Sequence, residues 1–168
     1  VVLWDRPGSN GGVSWKPDGG FIGGAGYLAK GVRGTIRSKN ELSLPEEWSV
    51  SVLIKPLVTK SRYGNIITLK TVGKDGKVLF DLSQSNFFRA SFDNGGEIAT
   101  TQFFKDTMSA DKWNHLVLVY EKEQVTFHIN GKSETKKHTL TWNPETKFKV
   151  LLSGYNRIPH HRMEGSFD

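Results

Sequence analysis

The residue types best suited to recognition chemistry gather near the end of the chain. Between Tyr155 and Arg162 (YNRIPHHR) an aromatic ring, an amide, two guanidiniums and two imidazoles fall within eight residues. An aromatic ring packs on the apolar face of a sugar, an amide bonds its hydroxyls, and arginine meets a carboxylate or sulfate in a bidentate fork. Tyr155, Asn156, Arg157, His160 and Arg162 are therefore the candidate ligand-binding set, and a sulfated or sialylated glycan is a ligand of matching chemistry. The same residues also suit an ordinary solvated loop, since loops are polar and lie at the surface. Smaller groupings of this kind occur at Arg62 with Tyr63, at Asn94, and at Trp142 with Asn143. His160 and His161 could ligate a metal, but no third ligand stands at a recognisable spacing, which assigns them to the loop or to ligand contact.

Catalytic groupings are scarcer. Glu121 and Glu123, two apart, share a strand face but flank Lys122 in a polar turn, and Glu46 and Glu47 are adjacent and so point to opposite sides. No Gly-x-Ser-x-Gly elbow accompanies the serines and histidines. The chain has no cysteine, which excludes disulfides, thiolate zinc sites and cysteine nucleophiles.

The elements that must position these residues are strands. In Trp48–Ile54 (WSVSVLI) Trp48, Val50, Val52 and Ile54 share one face, and Pro56 ends the run. Gln124–Asn130 (QVTFHIN) alternates Val125, Phe127 and Ile129 with polar residues. His115–Tyr120 (HLVLVY) is apolar on both faces, as expected for a strand in the middle of a two-layer stack. Glu121-Lys122-Glu123 joins these last two as a hairpin, and Asn130-Gly131 supplies the positive φ that opens the next. Further strands are expected at Asn65–Lys70, Val78–Leu82, Phe87–Phe92, Glu97–Phe103 and Phe148–Ser153, and the Gly-rich start reads as a meandering loop with no phosphate-binding context. No long segment carries a helical apolar period, so the fold class is all-β: a double-sheet antiparallel jelly-roll sandwich.

The chain has 168 residues, which suits one domain, and 36% hydrophobic with 24% charged residues excludes a disordered chain. Twenty-three Lys and Arg against 17 Asp and Glu leave a net charge of +6, a modest pointer to acidic partners that solubility alone would also explain. The longest apolar run, Leu116–Tyr120, is far below the roughly 18 residues of a membrane span. Val1 stands where an initiator methionine would, and no basic-then-apolar leader follows it. The expectation is a single domain, residues 1–168, excised from a longer protein.

Several segments together carry a resemblance. They are Gly20–Leu28 (GFIGGAGYL), Leu44–Pro56 (LPEEWSVSVLIKP), Asp111–Tyr120 (DKWNHLVLVY), Val125–Lys132 (VTFHINGK) and Met163–Asp168 (MEGSFD). In this order the chain resembles the laminin G-like and concanavalin A-like lectin/glucanase superfamily of double-sheet jelly rolls. Trp113 and Trp48, at strand starts, read as core anchors. Glycanases of this fold carry patterns such as Glu-x-Asp-x-x-Glu on one strand face, absent here, so the resemblance implies no enzyme but a recognition module for glycans or glycoproteins, extracellular or surface-exposed. It also implies Ca2+ as the ion, held by Asp168 and carbonyls of Gly23 or Gly24, a hard-oxygen site. The family pattern continues past the Gly-Ser-Phe-Asp stretch into one more strand, so the sandwich is expected to lack its last strand. A downstream segment or a protein partner would supply it, and a structural or adhesion module completed in this way is the rival reading. Basic residues do not interleave with aromatics on one strand face, which argues against nucleic acid.

Overall fold

Alternating side chains fold this chain into two stacked sheets. A computed structural model describes residues 13–16, 18, 25–28, 36–57, 64–72, 77–84, 87–94, 97–105, 108–139, 142–153 and 163–168. Among them the regular structure is β-strand: β1 (Val13–Lys16), β2 (Ala25–Leu28), β3 (Ile36–Arg37), β4 (Trp48–Pro56), β5 (Gly64–Thr71), β6 (Val78–Gln84), β7 (Phe87–Asn94), β8 (Glu97–Lys105), β9 (Asn114–Tyr120), β10 (Gln124–Ile129), β11 (Lys132–Lys137), β12 (Phe148–Leu152) and β13 (Gly165–Phe167). One sheet has the order β1-β2-β13-β4-β9-β10-β11 and the other β3-β12-β5-β6-β7-β8. Neighbours pair antiparallel, and the expected jelly-roll sandwich is the fold observed.

The core lies between the sheets. From the seven-stranded sheet come Trp48, Val52, Ile54, Leu116, Leu118, Tyr120, Val125, Phe127 and Ile129; from the other come Ile67, Leu69, Phe80, Leu82, Phe88, Ala90, Phe92, Phe148, Val150 and Leu152. β10 alternates buried and less buried residues without a break, as its sequence dictates. β9 departs from the expectation of burial on both faces: Leu116, Leu118 and Tyr120 point inward, whereas Val117 and Val119 are half-buried on the outer side. The turn after β10 has positive φ at Asn130 (48°) and Gly131 (85°), the pattern of a type I′ hairpin.

Trp48 is a core anchor as expected, stacked on Tyr120 with ring centroids 5.4 Å apart. At the start of β9, however, the buried anchor is Asn114 and Trp113 is only half-buried. Asn114 Oδ1 accepts from the Ser109 amide at 3.0 Å and from Asn130 Nδ2 at 3.0 Å, while its Nδ2 donates to the carbonyls of Lys112 and Ser109. An amide with both ends satisfied ties three chain segments together where an indole has one donor to offer.

Part of the Gly-rich start, read from sequence as a loop, forms β1 and β2. A Cβ at Gly26 would meet Ile36 Cδ1 at 2.3 Å, so a side chain there would have to displace the end of the Ile36 side chain. β13 is hydrogen-bonded on both sides, to β2 and to β4, so Gly165–Phe167 occupies an interior place in its sheet.

Candidate functional site

The site is built on the outward face of the six-stranded sheet, turned away from the core. Phe80 and Leu82 of β6 and Phe88, Ala90 and Phe92 of β7 point inward, so Asp81 and Ser83, and Arg89 and Ser91, point the other way. Register sets Asp81 beside Ser91 and Ser83 beside Arg89, and across β8 it sets Arg89 beside Gln102 and Ser91 beside Thr100. On the other flank Asp81 stands opposite Thr68, and Ser83 opposite Asn65, both on β5. Asn65 and Thr68 are three apart and would fall on opposite faces of a regular strand. A bulge at Ile66 inserts one extra residue and brings both to the outward face.

These groups form a hydrogen-bonded cluster. Asn65 Nδ2 donates to Asp81 Oδ1 at 2.7 Å, and Thr68 Oγ1 donates to the same oxygen at 2.8 Å, so neither bond uses Oδ2. Ser91 and Thr100 share a hydroxyl contact of 3.2 Å on the adjoining strands. Asn65, Thr68, Asp81 and Ser83 are all buried. Burial disfavours the ionised carboxyl and pushes Asp81 above its ordinary value, an effect opposed by the hydrogen bonds from Thr68 and Asn65. The Ser83 hydroxyl also favours the carboxylate but falls short of hydrogen-bond geometry, leaving its Oγ without a partner. Burial likewise lowers the Arg89 guanidinium from its ordinary value. The buried cluster fixes this part of the sheet, and on the same face the exposed Thr100 and Gln102 of β8 offer a hydroxyl and an amide that can bond hydroxyl groups of a ligand.

A profile of the concanavalin A-like lectin/glucanases superfamily matches residues 30–168. The chain belongs to this superfamily. Among solved structures, domain 4 of AbnA, a GH43 extracellular arabinanase from Geobacillus stearothermophilus in complex with arabinotriose, is 18% identical with a TM-score of 0.65, the match covering 100% of this chain and 78% of that one. A native heptameric SAP-like pentraxin from Limulus polyphemus is 12% identical with a TM-score of 0.62, covering 80% of this chain and 66% of that chain. Domains LG4-5 of the mouse laminin alpha1 chain are 14% identical with a TM-score of 0.56, covering 94% of this chain and 40% of theirs. No curated protein sequence matches the chain.

In this superfamily member the sequence-predicted ligand set, Tyr155, Asn156, Arg157, His160 and Arg162, lies outside the described residues, as do Gly23 and Gly24 and the Arg62 and Tyr63 pair. The described residues on either side of 154–162 are joined: Ser153 Oγ donates to the Met163 carbonyl at 2.5 Å, and the Ser153 amide donates to the Ile66 carbonyl at 2.9 Å. Ser153 is thus held one residue from Asn65, and Met163 is buried in the core. Asp168 is exposed, with its amide and carbonyl paired to Leu53 at 2.8 Å each, and it supplies one hard-oxygen carboxylate. Among the described residues no three His, Asp or Glu side chains cluster as a metal site.

The other sequence candidates fill structural places. Trp142 packs against Trp48 at 5.1 Å and its Nε1 donates to the Leu44 carbonyl at 3.3 Å, while Asn143 accepts from the Glu145 amide. Glu121 accepts from Gln124 across the hairpin turn, and Glu123 is exposed. Asn65, Thr68 and Asp81 escaped the sequence reading because period two separates Asn65 from Thr68. The available signal was a carboxylate, Asp81, in an otherwise apolar run, Val78–Leu82.

Proposed function

We propose that this superfamily member is a non-catalytic carbohydrate-recognition module, one domain of a longer extracellular protein, that binds a glycan or a glycosylated surface on the outward face of its six-stranded sheet. The observation that carries this reading is the Asn65–Asp81–Thr68 cluster, buried polar groups on the face turned away from the apolar core. Burying such groups is costly unless they are satisfied, and on the same face the exposed Thr100 and Gln102 stand beside Ser91 and Arg89. The AbnA domain, alike over the whole length of this chain, was solved with an oligosaccharide and is named as part of an extracellular enzyme. Ca2+ bound by Asp168 with Gly23 and Gly24 belongs to the same proposal and acts as a structural support.

A glycan array followed by calorimetry, in Ca2+ and in a chelator, tests it. Neutral or acidic oligosaccharides bind, and Thr100→Ala or Gln102→Ala weakens binding about fivefold, as loss of one hydrogen bond does. Asp168→Ala removes any gain in thermal stability on adding Ca2+ while the Leu53 backbone pairing remains. Absence of binding to every glycan sinks the reading. Asp93 lies diagonally from Asp81, two residues beyond Ser91 on β7. Release of reducing ends that Asp81→Asn abolishes would therefore overturn the non-catalytic assignment.

A further inference from the structure

Lys149 on β12 stands directly opposite Lys70 on β5. Their neighbours Val150 and Leu69 point into the core, so both lysines lie on the outward face, on the sheet that carries the Asp81 cluster. Directly opposed residues in an antiparallel pair have Cβ atoms about 5 Å apart, and like charges at that spacing repel and destabilise the pairing. Neither lysine is ion-paired among the described residues, where Lys55 pairs with Asp111 and Lys136 with Glu134. Asp81, the carboxyl on this stretch of the face, is engaged by Asn65 and Thr68 through Oδ1. Lys149 Nζ instead donates to the Lys39 carbonyl at 3.0 Å, leaning across toward β3, where exposed Arg37 stands opposite Leu151. The row Arg37, Lys149 and Lys70 thus crosses three strands, and Thr68 follows Lys70 at the next outward position on β5.

We propose that this row is an anion-reading subsite. It binds the carboxylate or sulfate of an acidic saccharide at the partly exposed Lys70 and Lys149. An anion between two ammonium groups turns their repulsion into two charge-assisted hydrogen bonds, and Lys149 keeps two of its three donors for that purpose. The proposal rests on the recognition reading above and narrows it to acidic saccharides. The overall charge of +6 favours the same class of ligand.

The test is calorimetry on the intact chain with three oligosaccharides of equal length, one neutral, one bearing uronate carboxylates and one bearing sulfate esters, and with a single-stranded oligonucleotide of matched charge. At least one of the two acidic sugars binds about tenfold more tightly than the neutral one at low salt, and the comparison between them identifies the anion. Lys70→Gln with Lys149→Gln abolishes that preference, leaves neutral-sugar affinity unchanged and does not lower the melting temperature. Lys70→Glu provides a second readout: it forms a pair with Lys149, raises the melting temperature and likewise abolishes the preference. The subsite is overturned if acidic and neutral sugars bind alike, if the preference survives both substitutions, or if the oligonucleotide binds as tightly with the same lysine dependence. A neutral sugar that binds without an acidic preference removes the subsite and leaves the recognition reading standing. Failure of all three sugars to bind removes both.

Discussion

Asp81 sits between Phe80 and Leu82, two fully buried core residues, yet its side chain turns to the other face and takes hydrogen bonds from Asn65 and Thr68. Its carboxyl is pushed above the ordinary 3.8 by burial. The folded state therefore holds this proton more tightly than the unfolded chain. The stability gained is full below pH 3.8 and is lost as pH rises through the folded pKa. Asp81→Asn keeps an oxygen for both donors but cannot ionise, so its melting temperature gains on the wild type as pH rises above 3.8. Asp81→Ala strands two buried donors and costs about 3 kcal/mol. Thermal unfolding across that pH range checks both, and a constant gap between Asp81→Asn and wild type would remove the buried-carboxyl argument. None of this was legible in the sequence: Asp81 alone in an apolar run has no partner in sight, and its partners come from a strand whose alternation is broken. The set from Tyr155 to Arg162 could be named from the sequence for the opposite reason, because its residue types are adjacent in the chain, and it lies outside the described residues.

At the scale of elements, the long strands with apolar residues announce themselves, and β4, β5 to β10 and β12 lie where the apolar pattern puts them, whereas the six-residue β11 (KSETKK) is signalled only by the Asn130-Gly131 turn before it. β2, β3 and β13 have four, two and three residues, too few for a period of two to stand out, and they are held by neighbours rather than by their own pattern. Gly165 shows how a short strand is specified. Its φ is +143°, and a Cβ there would lie 2.2 Å from the Lys55 carbonyl oxygen and 2.8 Å from Pro56 Cα. Gly131 also has positive φ, at +85°, but a Cβ there meets nothing within 4 Å. Gly131→Ala thus pays only the backbone term, about 1 kcal/mol. Gly165→Ala must also push β13 off β4 and costs at least about 3 kcal/mol. Urea unfolding of the two variants compares them directly; equal losses would show that β13 adjusts freely and that the contact with β4 is not what requires glycine.

The whole molecule has to manage the edges of two sheets, since an edge strand offers unpaired backbone groups to any other chain. β11 ends one sheet and β8 ends the other, and the two run against each other along one side of the sandwich, with Phe103 and Phe104 of β8 packed on Phe127 of β10. On β11, Glu134 lies opposite Phe127 and Lys136 opposite Val125, so both charged side chains share the face of fully buried core residues. They pair with each other at 2.5 Å while still 29% and 44% exposed. An ion pair that exposed contributes about 0.5 kcal/mol to folding, too little to explain two charges on the core side of a strand. Inward-pointing charge at an edge instead opposes pairing with a second chain, because docking another strand would bury both groups. An edge guarded in this way favours the recognition module over the rival assembly module. Glu134→Val with Lys136→Val should leave thermal stability within a few degrees of wild type yet convert a monomer into dimers or larger species, read by size-exclusion chromatography with light scattering over a concentration series. If the double variant stays monomeric, the charges do not guard this edge. If the unmodified chain already dimerises and the double variant does not strengthen the dimer, strand addition is native to the fold and the assembly reading gains the ground.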